Sequence, residues 1–249
     1  MSGLICAGDV FLDLFSSGVL TGGVGPINAT KFAISPGKAT SIDRTSYLRD
    51  SFGSALDSVV IPGVSTLSIE TDDAAAELLQ YALLGTLTNI SDAAGTVSAG
   101  SPELVVAHSN KWSKLVHRNV SSVVVKDSSS TTAVNGTDYV LDTVAGMIKP
   151  LSTSSVITDG ETMSISYSYG LMTARQIIAS TQTEVRARVR LDGKNLANQK
   201  KVEIVCYQAV LVPSGELDVM GSKFISFGLS GTLISDAAAG GPVMYREID

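Results

Sequence analysis

His108 and His117 flank Trp112, and a pair of histidines can bind a metal or move protons. They stand nine residues apart, with no cysteine or carboxylate at metal-ligand spacing, so a structural role is expected for both. Pro36-Gly37-Lys38-Ala39-Thr40 has the outline of a phosphate loop. Such a loop needs a glycine where Phe32 stands and a hydroxyl where Ala39 stands, so the motif fails. Gly22, Gly23 and Gly25 lack the strand–helix frame of a dinucleotide site and read as a flexible turn. Asp9 and Asp13 fall on one face of a strand, yet no aromatic pocket accompanies them, and solvated carboxylates are expected. The one basic cluster is Arg186, Arg188 and Arg190. Its expected role is pairing across strands or between subunits, with acidic residues such as Glu203. An enzyme is not expected, and no cofactor or metal is called for.

The elements that must position these residues are mostly strands. Glu184 to Leu191 alternates polar and apolar residues, so all three arginines share one face of a strand. Asp192-Gly193 reads as a turn opening a polar loop to Gln199. Val202 to Val212 is a more continuous apolar strand, and Phe224 to Leu233 alternates again. Upstream, Asp9–Phe15 and Lys31–Ser35 read as strands, and Val59–Ile61 with Val64–Glu70 as a strand pair around Pro62-Gly63. Asp72 to Leu84 is the single convincing helix, with acidic residues at its start, an apolar stripe through Leu78, Leu79 and Leu83, and Gly85 as its cap. Later strands are expected over 103–108, 114–117, 121–126 and 162–169, with a hairpin joining 138–142 to 147–148. The class is mainly β, a β-sandwich or barrel with one packed helix. A single domain over 1–249 is expected, with 38–56 as a long loop or arm and 119–170 as a β-rich insertion or decorating subdomain.

Composition narrows the function. The net charge of -6 gives no phosphate-gripping surface, since nucleic-acid affinity needs clustered Lys and Arg. Only 17% of residues are charged against 44% hydrophobic, a balance that suits a surface covered by other chains. Cys6 and Cys206 lie in apolar strand contexts and are expected to be buried free thiols. The four Asn-x-Ser/Thr matches are expected by chance, because no signal segment is read at the N-terminus. No stretch approaches the roughly 18 to 20 apolar residues of a membrane span.

The order of several segments resembles a known family. Gly8-Asp9-Val10-Phe11-Leu12-Asp13 leads through the glycines to Asn28, and Ser65-Thr66-Leu67-Ser68-Ile69-Glu70 precedes the helix. Asn135-Gly136-Thr137-Asp138-Tyr139-Val140-Leu141-Asp142 follows in mid-chain. Val210 to Leu217 and then Phe224 to Asp236, with Gly231 and Asp236, complete the set. Together these resemble the major tail (tail tube) protein of long, non-contractile-tailed bacteriophages. The resemblance implies subunits that form hexameric rings, whose strands join into a β-lined channel and whose rings stack into a tube. It implies residence in the virion after synthesis in a host cytoplasm, transient passage of DNA, and a tape-measure protein and tail-end proteins as partners. The 38–56 arm would reach an adjacent ring, and Arg186, Arg188, Arg190 and Glu203 would lie between subunits or along the channel. A glycan-binding or adhesin-like sandwich is the rival, but it needs an aromatic platform. Only Trp112 and scattered tyrosines are available, at 6% aromatic content.

Overall fold

The structure is a computed structural model that describes residues 3–221 and 224–248. The chain divides into two compact units, Met1–Leu87 with Ile177–Asp249, and Thr88–Gln176. The second contains the 119–170 segment and extends beyond it on both sides.

The first unit holds β1 (Cys6–Ser16), β2 (Val19–Ile27), β3 (Ala29–Ser35), β4 (Thr40–Thr45), β5 (Ala55–Ile61), β6 (Thr66–Thr71) and α1 (Ala76–Ala82). The chain then runs through β7 (Thr86–Asp92) into β8 (Gly95–Val97), β9 (Glu103–Val106), β10 (Ser113–Lys114), β11 (Val120–Lys126), β12 (Tyr139–Asp142), β13 (Met147–Pro150) and β14 (Thr162–Tyr169). It returns along β15 (Met172–Ile178), which pairs with β7, and finishes as β16 (Val185–Asn195), β17 (Lys201–Ser214), β18 (Phe227–Leu233) and β19 (Val243–Ile248). The fold is mainly β with one short helix, and its antiparallel sheets are consistent with a β-sandwich.

In the first unit one sheet runs β2-β1-β16-β17-β18-β6-β3, and β19 pairs with the first half of β17. Strands β2 and β3 are consecutive in sequence yet lie at opposite ends of this order, with Asn28 alone between them. The sheet must therefore curl until its ends meet. They do so where Ile27 pairs with Val10, Ala29 pairs with Thr71, and the Thr71 hydroxyl donates to the Asn28 carbonyl at 2.8 Å. The enclosed core holds Val10, Leu12, Leu67, Ile69, Val189, Cys206 and Leu211, with Leu78 and Tyr81 of α1 closing it. The alternation read in β16 is the one observed: Val185, Ala187, Val189 and Leu191 face this core.

Several expectations are corrected here. The glycine-rich segment is not a flexible turn but β2, made possible because glycine clears its neighbours: a Cβ on Gly23 would overlap the Asp13 carboxylate. Strand β16 continues through Asp192-Gly193 to Asn195, so the turn begins later. Strand β5 pairs with β4, whereas β6 lies between β18 and β3, so the pair expected around Pro62-Gly63 does not form. The helix is shorter than expected. Asp72 accepts from the Asn28 amide at 2.6 Å and Asp73 from the Ala75 N–H at 3.1 Å, so both organise the turn ahead of α1. At the other end the left-handed residue is Leu84 (φ 46°) rather than Gly85. Cys206 is buried, and burial pushes its thiol up to about 12. Cys6 is exposed, because β2 pairs with β1 only from Val10 onward and leaves the first residues of β1 uncovered.

The second unit packs a sheet of β11, β14, β8 and β9 and a sheet of β10, β13 and β12 around one core. Val125, Met163 and Ile165 come from the first sheet, Tyr139 and Ile148 from the second, and Leu115 from the chain just after β10. The expected hairpin is β12–β13, with Leu141 opposite Ile148. No helix among the described residues is long and apolar enough to cross a membrane.

Candidate functional site

The segment expected as a structureless arm is a two-stranded hairpin. Strands β4 and β5 pair from Thr40 opposite Ile61 to Thr45 opposite Ala55 and join no other sheet. Every residue of both strands is exposed. Ile42, Val59 and Ile61 share one face with the Arg44 and Asp57 pair, while Val60, 63% exposed, lies on the other. The tip is built on Ser46, whose buried hydroxyl lies 2.7 Å from that of Ser51 and accepts from the Leu48 N–H at 3.2 Å. That arrangement presents Tyr47 (81% exposed), Leu48 and Phe52 (72% exposed), with the Tyr47 and Phe52 rings edge to face at 5.7 Å. An isolated two-stranded hairpin is marginal in water, and one this apolar on the outside hides nothing of its own.

The neck of the hairpin explains Gly37. A Cβ on Gly37 would overlap the Gly63 carbonyl, and one on Gly63 would overlap that of Lys38. The two chains therefore cross closer than any side chain allows. The phosphate-loop outline at 36–40 thus leads into a strand instead of a helix, and its glycine serves this crossing.

The arginine face is organised by a residue expected to be solvated. Asp13 of β1 is buried and stands opposite Arg188 of β16. Its Oδ2 accepts from Arg188 Nε and Arg190 Nε, both at 2.9 Å, and Oδ1 accepts from Arg190 Nη2 at 3.3 Å. Burial alone would push this carboxyl up, but the hydrogen bonds and charges of Arg190 and Arg188 outweigh it and hold it below its ordinary value. The Arg190 guanidinium also lies over the Phe11 ring, 5.4 Å from its centroid. Arg186 pairs with Glu184 at 2.6 Å, and Glu203 pairs with Arg246 of β19 at 3.5 Å; among the described residues Glu203 pairs with none of the three arginines. Further along the same face Asp9, Asp192 and Glu203 stand opposite one another across β1, β16 and β17. Like charges directly opposite cost stability, so this acidic row is maintained against its own repulsion.

In the second unit His117 belongs to a network that spacing alone does not reveal. Tyr167 is buried, and its hydroxyl donates to Glu103 Oε2, whose partner oxygen accepts from the Val116 N–H at 2.9 Å. The phenol oxygen then accepts from Nδ1 of His117 at 3.0 Å, which fixes the tautomer, and the imidazole stacks on Tyr169 at 3.6 Å. Burial and the Glu103 carboxylate together push the Tyr167 phenol above its ordinary range. No serine, threonine or cysteine hydrogen-bonds His117 among the described residues, so the network offers a positioned ring without a nucleophile. Tyr167→Phe is expected to lower the stability of this unit by about 1–3 kcal/mol, because it orphans a carboxylate and an imidazole together. Urea unfolding of the full chain checks this, and an unchanged transition would mean the network is already met by water. His108 is exposed and stands apart from this network. Trp112 is partly exposed, with Lys149 Nζ 5.1 Å from its ring centroid.

The profile of one family, described as protein of unknown function UCP028589, matches residues 5–244 of the chain. No curated protein matches it.

Proposed function

We propose that this chain, which belongs to the family described as protein of unknown function UCP028589, is a structural virion protein whose copies assemble into stacked hexameric rings. In this reading the rings form the tail tube of a long, non-contractile-tailed bacteriophage. The observation that carries it is the β4–β5 hairpin: an apolar element, exposed on both faces, with unpaired strand edges, is stable only against another chain. The resemblance of segments along the sequence names the assembly. The acidic row Asp9, Asp192 and Glu203 fits a conduit, since a carboxylate-lined surface lets DNA slide where a basic one would hold it. A tape-measure protein would fill the channel before ejection, tail-end proteins would close it, and no catalysis is involved. Arg186, Arg188 and Arg190 have most of their charge met within the chain by Glu184 and Asp13. Their part in assembly would be to set the face of the sheet. Negative-stain microscopy of the purified full-length chain is expected to reveal rings or tubes with six-fold symmetry, and a persistent monomer at high concentration would overturn the reading.

One observation favours a second reading. Trp112 with Lys149 beside its ring is a small platform of the kind that binds sugars. Glycan-array binding by the monomer would support an adhesin-like module.

A further inference from the structure

The wall of the first unit is open at one place, and the residues around the opening say what would close it. Strand β2 covers β1 only from Val10 onward, so Cys6 to Asp9 pair with β16 on one side and, among the described residues, with nothing on the other. Strand β3 pairs with β6 and has no second partner. These two unpaired edges flank a cavity of about 340 Å³, lined by Cys6, Gly8 and Val10 of β1, Phe32 of β3, and Leu191 and Ile204. Backbone donors and acceptors at an open edge are satisfied by an added strand, and apolar lining residues such as Phe32, Leu191 and Ile204 accept apolar side chains from it.

The β4–β5 hairpin carries a segment with these properties. Strand β5 exposes Leu56, Val59, Val60 and Ile61, and its outer edge is unpaired. Its single charge is Asp57, and the Lys31 that borders the slot is already paired with Glu70 at 2.6 Å, so the fit rests on backbone edges and apolar side chains. Within one molecule the hairpin is exposed on both faces, so it does not fill the slot of its own chain. We infer that the slot between β1 and β3 receives strand β5 of a second copy, which completes the curled wall from outside. The inference rests on the self-assembly reading above and names the surface through which it acts. It also gives a use to the exposed start of β1, whose outer edge no strand among the described residues covers.

Cys6 is a native reporter in this slot, and Cys206 is buried and silent. The experiment measures maleimide labelling of Cys6 in the wild-type chain, free and assembled. It also treats assembled Val60→Cys and Leu56→Cys chains with a short bifunctional maleimide. Assembly is expected to slow Cys6 labelling at least about tenfold, and at least one of the two variants to yield covalently joined copies whose peptides link position 6 to the hairpin. Assemblies that label at the free rate, or that join Cys6 to neither hairpin position, would overturn the slot while leaving the assembly reading intact. A wild-type chain that never assembles would overturn both.

Discussion

A chain with Tyr47, Leu48, Phe52 and Val60 all replaced by serine is expected to lose ring and tube formation while its unfolding midpoint stays that of the wild type. None of the four contributes to either hydrophobic core, so the free subunit does not depend on them. Burying one large apolar side chain at a contact contributes about 1.5–3 kcal/mol, and roughly half of that survives the cost of ordering the hairpin. Four such losses at every contact raise the concentration needed for assembly on the order of 100-fold or more, at about 1.4 kcal/mol per factor of ten. Light scattering against concentration, with micrographs of the pellet, reads this directly. Normal assembly by the fourfold variant would remove the hairpin from the interface.

Asp13→Asn is expected to produce the largest loss of folding stability among charge-neutralising changes in the first unit. The carboxylate serves Arg188 and Arg190 at once, and its removal leaves two guanidinium groups facing each other over one buried site. Breaking a fully buried pair costs about 3–5 kcal/mol. Both arginines are partly exposed and can turn toward water, so about 2–3 kcal/mol is expected here. The pH dependence follows from the direction of the shift. Asp13 titrates lower in the folded chain than in the unfolded one, so its stabilisation is fully present above the ordinary carboxylate value of 3.8. It is lost as pH falls from there through the folded value. The gap between wild type and Asp13→Asn is therefore constant from neutral pH down to about pH 5 and closes below about pH 4. A gap that stays constant into strong acid would assign the effect to packing.

The elements most legible in the sequence are those whose side chains alternate against a core. Strand β16 and the β12–β13 hairpin follow their patterns, because one face of each meets buried residues. The β4–β5 hairpin gave no period because it has no buried face to impose one. Strand β2 was hidden for a different reason: its glycines are there to clear Asp13 and Phe11, and that requirement comes from a neighbouring strand. Asp13 and its arginines lie 175 and 177 residues apart, so no local spacing marks them, and the face of Arg186, Arg188 and Arg190 was visible while its central acid was not. The relay from Glu103 through Tyr167 to His117 is similarly non-local, joining positions 64 and 50 residues apart. The second unit includes 119–170 and reaches beyond it to β7 and β15, which are largely exposed and show no core pattern that would mark them in the sequence.

That pairing of β7 with β15 has a consequence for how such a chain changes over generations. The chain enters and leaves Thr88–Gln176 along two strands that pair with each other, so the two ends of that unit lie side by side. A turn of two or three residues could bridge the two strands where a whole module now stands, and an unrelated module could be spliced onto the same pair. The unit Thr88–Gln176 is thus free to diversify at a pace of its own, while the remainder stays bound by what its neighbours require.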